Sequence, residues 1–264
     1  MRRTSFRFRR AVTAAVAVPF LAMSAAACGG GGDGAGSQGG GDGGGAGTAT
    51  GGKNGGQQGG GGASVRPLAK GQLAAALLKD GDVRGYRAQR NQQDALPERN
   101  TISADKPECA PVTDTVDSRP ERARSAYVSG TVLKGDLGTG STVQQVLLAS
   151  YKQGEAKKWL ADLKRAVESC GRFTGTTGKA ASGKSGEKAR LSVEPNTSPR
   201  VGDEAVRFTM KDVKGKDSPT VFTVVRAGES TATFMSVGVS GKPEPLPDKV
   251  LEKQYRKLAD AARG

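Results

Sequence analysis

Three observations place the folding part of this 264-residue chain in the α+β class: an antiparallel sheet with helices packed on it, carrying one disulfide. First, two β-branched runs, residues 123–133 and 142–151, flank the Gly-rich turn 135–140, which is a hairpin signature. Second, the apolar runs 220–226 and 230–239 are joined by Ala227-Gly228-Glu229, a second hairpin. Third, helical periodicity lies before, between and after these hairpins and does not alternate with single strands, which argues against a doubly wound parallel sheet.

Taken in order, residues 68–79 (LAKGQLAAALLK) are rich in Ala and Leu and predict a helix stopped by Asp80-Gly81. Residues 86–92 predict a first strand, and 107–116 a short helix that carries Cys109. The clearest helix spans residues 155–169, where Ala156, Leu160, Leu163, Val167 and Cys170 recur at spacings of three or four. Lys157, Lys158, Asp162, Lys164 and Arg165 point elsewhere, and Gly171 is placed as the C-terminal stop. Trp159, the one tryptophan, flanks the apolar face and is expected against the sheet, not as a ligand platform. Residues 174–188, dense in Gly, Lys and Ser, read as a loop, with a strand-like run 190–193 beyond. Val206, Phe208 and Met210 alternate within a strand over 204–210, and the unbroken apolar run 221–225 suits a central strand. The chain closes with a helix over 247–262 that puts Leu251, Tyr255, Leu258 and Ala262 on one face.

The amino terminus predicts the compartment. Arg2, Arg3, Arg7, Arg9 and Arg10 form a basic region, residues 11–23 a short apolar one, and Ser24-Ala25-Ala26-Ala27 a small-residue run before Cys28. Residues 1–27 thus read as a lipoprotein signal peptide and Cys28 as the lipidation site. A diacylglycerol thioether there, with a palmitate-type chain on the new amino terminus, supplies the two or more acyl chains that stable anchoring needs. The lipobox pattern departs at Ala25, where Leu is usual. A plain signal peptide cut after Ala25 or Ala27, and an uncleaved anchor, therefore stay open, although the apolar run is shorter than the roughly 20 residues that span a bilayer. Arg9-Arg10 only partly fits a twin-arginine signal, so general secretion is expected.

Residues 28–64 then form the lipidated cysteine and a disordered tether: 21 of the 34 residues from 29 to 62 are Gly, and such a segment buries nothing to offset its chain entropy. Its typical end-to-end distance is on the order of 30 Å. Residues 65–264 remain as the extracytoplasmic α+β domain, of a length that suits one domain. The whole chain carries +14; without the five leader arginines and the tether's Asp33, Asp42 and Lys53, the domain retains +10. That charge serves solubility beside an anionic surface, or a partner: an anionic wall polymer, lipid headgroups or an envelope protein. Nucleic acid is excluded by compartment and by an aromatic content of 5%. With Cys28 lipidated, Cys109 and Cys170 remain as one pair in an oxidising location, and they predict a structural disulfide worth roughly 4 kcal/mol in the chain-entropy model. A redox-switching pair would have C-x-x-C spacing, which is absent.

One series of residues resembles a known family. Leu77-Leu78 with Tyr86, Lys106-Pro107-Glu108-Cys109, Ala149-Ser150-Tyr151 before a helix ending at Cys170, Val201-Gly202-Asp203-Glu204-Ala205, Val224-Val225-Arg226-Ala227-Gly228 and Gln254-x-x-Lys257-Leu258 are similar to actinobacterial lipoproteins related to the PknH-like extracellular sensor domain. The resemblance covers roughly residues 65–262 and implies an α+β domain that binds small or wall-derived ligands in a cleft. These motifs are scaffold-like and carry no chemistry. Kinase-linked members have a second disulfide, whereas this chain has cysteines for one and no kinase segment within its 264 residues.

Apparent catalytic motifs fail on context. Residues 178–185 (GKAASGKS) match G-x-x-x-x-G-K-[ST], but a P-loop needs a buried strand before it and a helix after it, and here Gly186 and a strand-like run follow. Ser185-x-x-Lys188 and Lys184-Ser185-Gly186 overlap, whereas in penicillin-binding chemistry those two elements face each other across a cleft. The chain has no histidine, which removes Ser-His and Cys-His mechanisms and the commonest metal ligand. Asp203-Glu204 would point to opposite faces of a strand and read as turn or capping residues. A metal-free hydrolase would need two facing carboxylates about 5–10 Å apart. The expectation is a lipid-anchored domain of binding or sensor type on the extracytoplasmic face, with no catalysis, cofactor or metal. The alternative is an accessory lipoprotein that organises an envelope complex, for which a large exposed apolar patch would be the sign.

Overall fold

The computed structural model describes residues 66–92, 100–117, 120–134, 142–179, 186–215, 218–238 and 242–264. The leader, Cys28 and the tether lie outside the described residues, as do 180–185 of the Gly/Lys/Ser-rich segment. Nine strands follow in chain order: β1 Tyr86–Arg90, β2 Asn100–Ala104, β3 Ala126–Lys134, β4 Thr142–Ser150, β5 Arg172–Lys179, β6 Glu187–Asn196, β7 Glu204–Asp212, β8 Thr220–Ala227 and β9 Ser230–Gly238. The helices are α1 Lys70–Ala76, α2 Ala110–Thr113, α3 Glu155–Ser169 and α4 Asp248–Arg263, with a 3-10 turn Pro107–Cys109 leading into α2.

The strands form one antiparallel sheet in the order β1-β3-β4-β9-β8-β7-β6-β5-β2. Both predicted hairpins are present, β3 with β4 and β8 with β9, the latter with Ala227 opposite Ser230. Strand alternation divides the core in two. Val146, Leu148, Ala232, Phe234 and Val225 meet Leu73 and Ala76 of α1 and Val250, Leu251 and Leu258 of α4. On the opposite face Val206, Phe208, Phe222 and Val224 lie under Ala156, Leu160, Leu163 and Val167 of α3, with Phe208 and Phe222 stacked at 5.0 Å. The predicted face of α3 is the buried face, and the chain leaves that helix through Gly171 at φ +36°, a conformation that L side chains rarely adopt.

Two predicted elements are corrected. The first helix ends at Ala76, not at Lys79, and Leu77 is already extended. The cause is the fully buried Gln254 of α4: the Leu78 N–H donates to its Oε1 (3.1 Å), while its Nε2 donates to the Ala76 carbonyl (2.8 Å), so α4 terminates α1. Leu77 then packs over Gly130, where an added Cβ would lie 2.8 Å from Leu77 Cδ2 and from the Gln89 carbonyl oxygen. The predicted loop 174–188 is strand at both of its ends: residues 174–179 belong to β5 and 187–188 to β6, paired antiparallel from Arg172–Ser192 to Thr177–Glu187. Among the described side chains of these two strands only Phe173, Gly175 and Val193 are buried, so the sequence shows little alternation.

The two outermost strands are β1 and β2, each with an edge facing away from the sheet. The Ala88 N–H of β1 donates to Asp80 Oδ1 (2.7 Å), and the Ile102 N–H of β2 donates to Asp117 Oδ2 (3.1 Å). Each aspartate occupies a mid-strand amide that would otherwise be open to another strand.

Candidate functional site

Cys109 and Cys170 form the predicted bridge, with Cα atoms 5.3 Å apart and both side chains buried. It ties the start of α2 to the C-terminal end of α3. The same two helices, with the segment after α2, enclose a cleft of about 510 Å³ toward the N-terminal half of α3. Its walls are Pro111 and Asp114 on one side, Glu121, Arg122 and Ala123 on the approach to β3, and Lys152, Glu155, Trp159 and Asp162 on α3 and the turn before it. That volume is in the range of small-molecule sites.

The chemistry of the cleft is charged and mostly internally paired. Arg122 is forked: it donates to Glu155 and, through Nη2, to Asp162 Oδ2 (2.7 Å). Burial opposes its charge, but the bonds to Asp162 and Glu155 hold its pKa above the ordinary guanidinium value. Glu155 is held below the usual carboxylate range by Lys158 and Arg122. Both α3 carboxylates are therefore committed to Arg122. Asp114 differs: burial pushes its carboxyl up to about 6, against the pull of the Glu121 amide and of Arg124. Its Oδ1 accepts the Glu121 N–H (3.2 Å), and its carbonyl accepts from Arg124 Nη2 (2.7 Å). Arg124 Nε is buried with no hydrogen-bond partner among the described residues. Lys152 and Glu121 line the cleft without a carboxylate or cationic partner among the described residues.

Trp159 is buried against Tyr151, with ring centroids 5.7 Å apart and planes at 20°, as the expected packing role requires, yet it also forms part of the cleft wall. Tyr151 is fixed from behind, where its N–H donates to the Glu229 carbonyl (2.9 Å).

Asp203 and Glu204 diverge as predicted: Asp203 Oδ1 accepts from the Tyr255 hydroxyl of α4 (3.1 Å), whereas Glu204 Oε1 accepts from Lys164 Nζ of α3 (2.6 Å) on the other side of the sheet, and Arg226 reaches both, its Nη1 3.1 Å from Asp203 Oδ2 and its Nε 3.7 Å from Glu204 Oε2. Asp203 lies in the turn just before β7. It serves as a turn anchor, accepting from the Gly228 N–H (2.7 Å) and the Tyr255 hydroxyl (3.1 Å). Of residues 178–185, Gly178 and Lys179 end β5, and the strand that begins at Glu187 replaces the helix a P-loop would need. Among the described residues no three His, Cys, Asp or Glu side chains gather as a metal site, and no helix is long and apolar enough to cross a membrane.

The cleft residues Asp114, Glu121, Arg122 and Lys152 were not singled out by sequence. The one available signal is the density of charge between a short helix and a strand, Asp114, Asp117, Glu121, Arg122 and Arg124.

No protein-family model and no curated protein matches the chain. Among solved structures it is similar to the extracellular domain of PknH from Mycobacterium tuberculosis, at 10% identity and a TM-score of 0.47, over 75% of this chain and 98% of that one. It is also similar to an uncharacterised Mycobacterium smegmatis protein, the Rv0999 ortholog, at 10% identity and a TM-score of 0.30, over 68% of this chain and 90% of that one.

Proposed function

We propose that residues 65–264 form a catalytically inert binding domain of sensor type, held on the extracytoplasmic face of the membrane by a lipid on Cys28, and that its ligand enters the cleft beside α3. The observation that carries this reading is the cleft itself: about 510 Å³, walled by charged side chains and braced at its far end by the Cys109–Cys170 bridge. Arg122 stiffens one wall by consuming Glu155 and Asp162, and this leaves Lys152 and Glu121 as the groups free to meet a ligand. A cation and a carboxylate on the same rim suit a small polar molecule bearing both acceptors and donors, of the kind released from a cell wall. Glu155 and Asp162, both bound by Arg122, are unsuited to acid/base work. The anchoring rests on the leader, Cys28 and the Gly-rich tether that follows it.

The alternative of an accessory organiser needs a large apolar patch. Among the described residues Val213 is the one exposed large hydrophobic side chain. A thermal-shift screen of low-molecular-mass envelope fractions tests the proposal, since a ligand that binds only the folded state raises the midpoint by mass action. At least one fraction is expected to raise the midpoint of the wild type and not that of Lys152→Glu. Absence of any such fraction, or an equal response from the variant, overturns the cleft reading.

A further inference from the structure

The α1/α4 side of the sheet is only half covered. Those helices pack on β3, β4, β8 and β9 and reach the start of β7, where Ala205 joins their core and Arg207 faces Asp248 of α4, but no described helix packs on the same face of β5, β6 or the end of β7. Register places Arg172, Ser192 and Lys211 in one cross-strand row, Arg190 opposite Thr174 in the next and Lys188 opposite Thr176 beyond. Alternation puts these side chains on the face opposite the buried Phe173, Val193 and Phe208. With strands about 4.8 Å apart and alternate residues roughly 7 Å apart, the four cations fall within one patch about 10–15 Å across. Arg172, Lys188 and Arg190 are exposed and have no carboxylate partner among the described residues. Nearby acids are already engaged: Glu194 accepts from Lys211 Nζ (2.6 Å), and Asp105 accepts the Thr174 N–H (2.8 Å). At the end of the patch, the Val213 N–H donates to the Arg190 carbonyl (2.8 Å), and the Val213 side chain is 46% exposed with Lys214 following it.

We propose that this β5–β7 face is a docking surface for an anionic phospholipid bilayer, with Val213 entering the headgroup layer. Charge complementarity argues for an anionic occupant, because three cations lack countercharge on one sheet face. A bilayer is favoured over a soluble polymer because the one exposed large hydrophobic residue among those described borders this basic face. The inference involves residues distant in sequence from the cleft walls and does not require Cys28 to be lipidated.

Sedimentation of the full chain carrying Cys28→Ala with phosphatidylcholine vesicles, pure or with 30% phosphatidylglycerol, tests it. The readout is the ratio of anionic to neutral partitioning, so that apolar binding by the leader cancels. Each cation near the surface contributes about fivefold. The triple variant Arg172→Gln, Lys188→Gln, Arg190→Gln is expected to lose on the order of a hundredfold in that ratio. Arg190→Gln alone should lose about fivefold. Val213→Ser is expected to weaken binding to the anionic vesicles, and Lys157→Gln with Lys158→Gln on exposed α3 positions to leave the ratio near wild type. An unchanged triple variant, or an equal loss in the α3 control, overturns the proposal and assigns the charge to solubility. It is equally overturned if a soluble phosphodiester polymer binds the face while vesicles do not, which would make the occupant a wall polymer.

Discussion

Asp114 is a carboxyl group taken largely out of water, its pKa pushed up to about 6 by burial, with the charges of Glu121 and Asp117 adding to the rise and Arg124 opposing it. Between the ordinary value of 3.8 and about 6 the folded state binds more protons than the unfolded one. The stability linked to this group is therefore complete below 3.8 and is lost as pH rises through about 6. Asp114→Asn keeps the acceptor for the Glu121 amide and removes the charge. It is expected to raise stability at pH 7.5 by about 1–2 kcal/mol, discounted for solvent screening, and to flatten the urea midpoint between pH 4 and 6. Asp82 acts in the opposite sense at lower pH: burial works against its charge, but the bond from Lys257 holds its carboxyl below the ordinary range, so its contribution falls away on acidification below that range. Gln254 makes a second residue-scale prediction. Gln254→Leu leaves the Leu78 N–H and the Ala76 carbonyl without their partner, at about 1–3 kcal/mol for each group left buried and unpaired, readable as a lowered denaturant midpoint.

Among the elements, the outermost strands carry a shared device: Asp80 caps the Ala88 amide on β1, and Asp117 caps the Ile102 amide on β2. The double variant Asp80→Ala, Asp117→Ala opens both edges, and light scattering is expected to show concentration-dependent self-association that the wild type lacks. Legibility in the sequence followed the same physical line. The helix 155–169, the closing helix and strands β3, β4, β7, β8 and β9 were readable because each buries a periodic apolar face. β5 and the start of β6 were not, although the run 190–193 within β6 reads as strand-like, since Arg172, Lys188 and Arg190 occupy one face, which no described helix covers, and among the described side chains of these strands only Phe173, Gly175 and Val193 are buried. β2 is five residues long and pairs only with β5, so local sequence holds almost none of its stability. The bridge was legible from cysteine count alone. The cleft was not, because it joins Asp114, Arg122 and Trp159 from separate elements, and no local spacing encodes their meeting.

At the scale of the molecule, helices lie on both sides of one sheet, and the two ends of α3 have different roles: its C-terminal end is stapled by Cys170, and its N-terminal half walls the cleft. The basic β5–β7 face lies on the other side of the sheet from α3, so ligand binding and membrane docking draw on different surfaces. Anchoring makes its own prediction: Cys28→Ala should release the protein from the membrane fraction to the medium, and the wild-type Cys28 peptide should carry a diacylglyceryl mass. The cleft reading is tested most directly by Trp159, because the chain's one tryptophan stands in the cleft wall and reports on it without a label. Titration with the envelope fraction that shifts the thermal midpoint should change its emission saturably in the wild type and not in Lys152→Glu. A fraction that stabilises the protein while leaving Trp159 emission unchanged would place the binding site elsewhere and contradict the account.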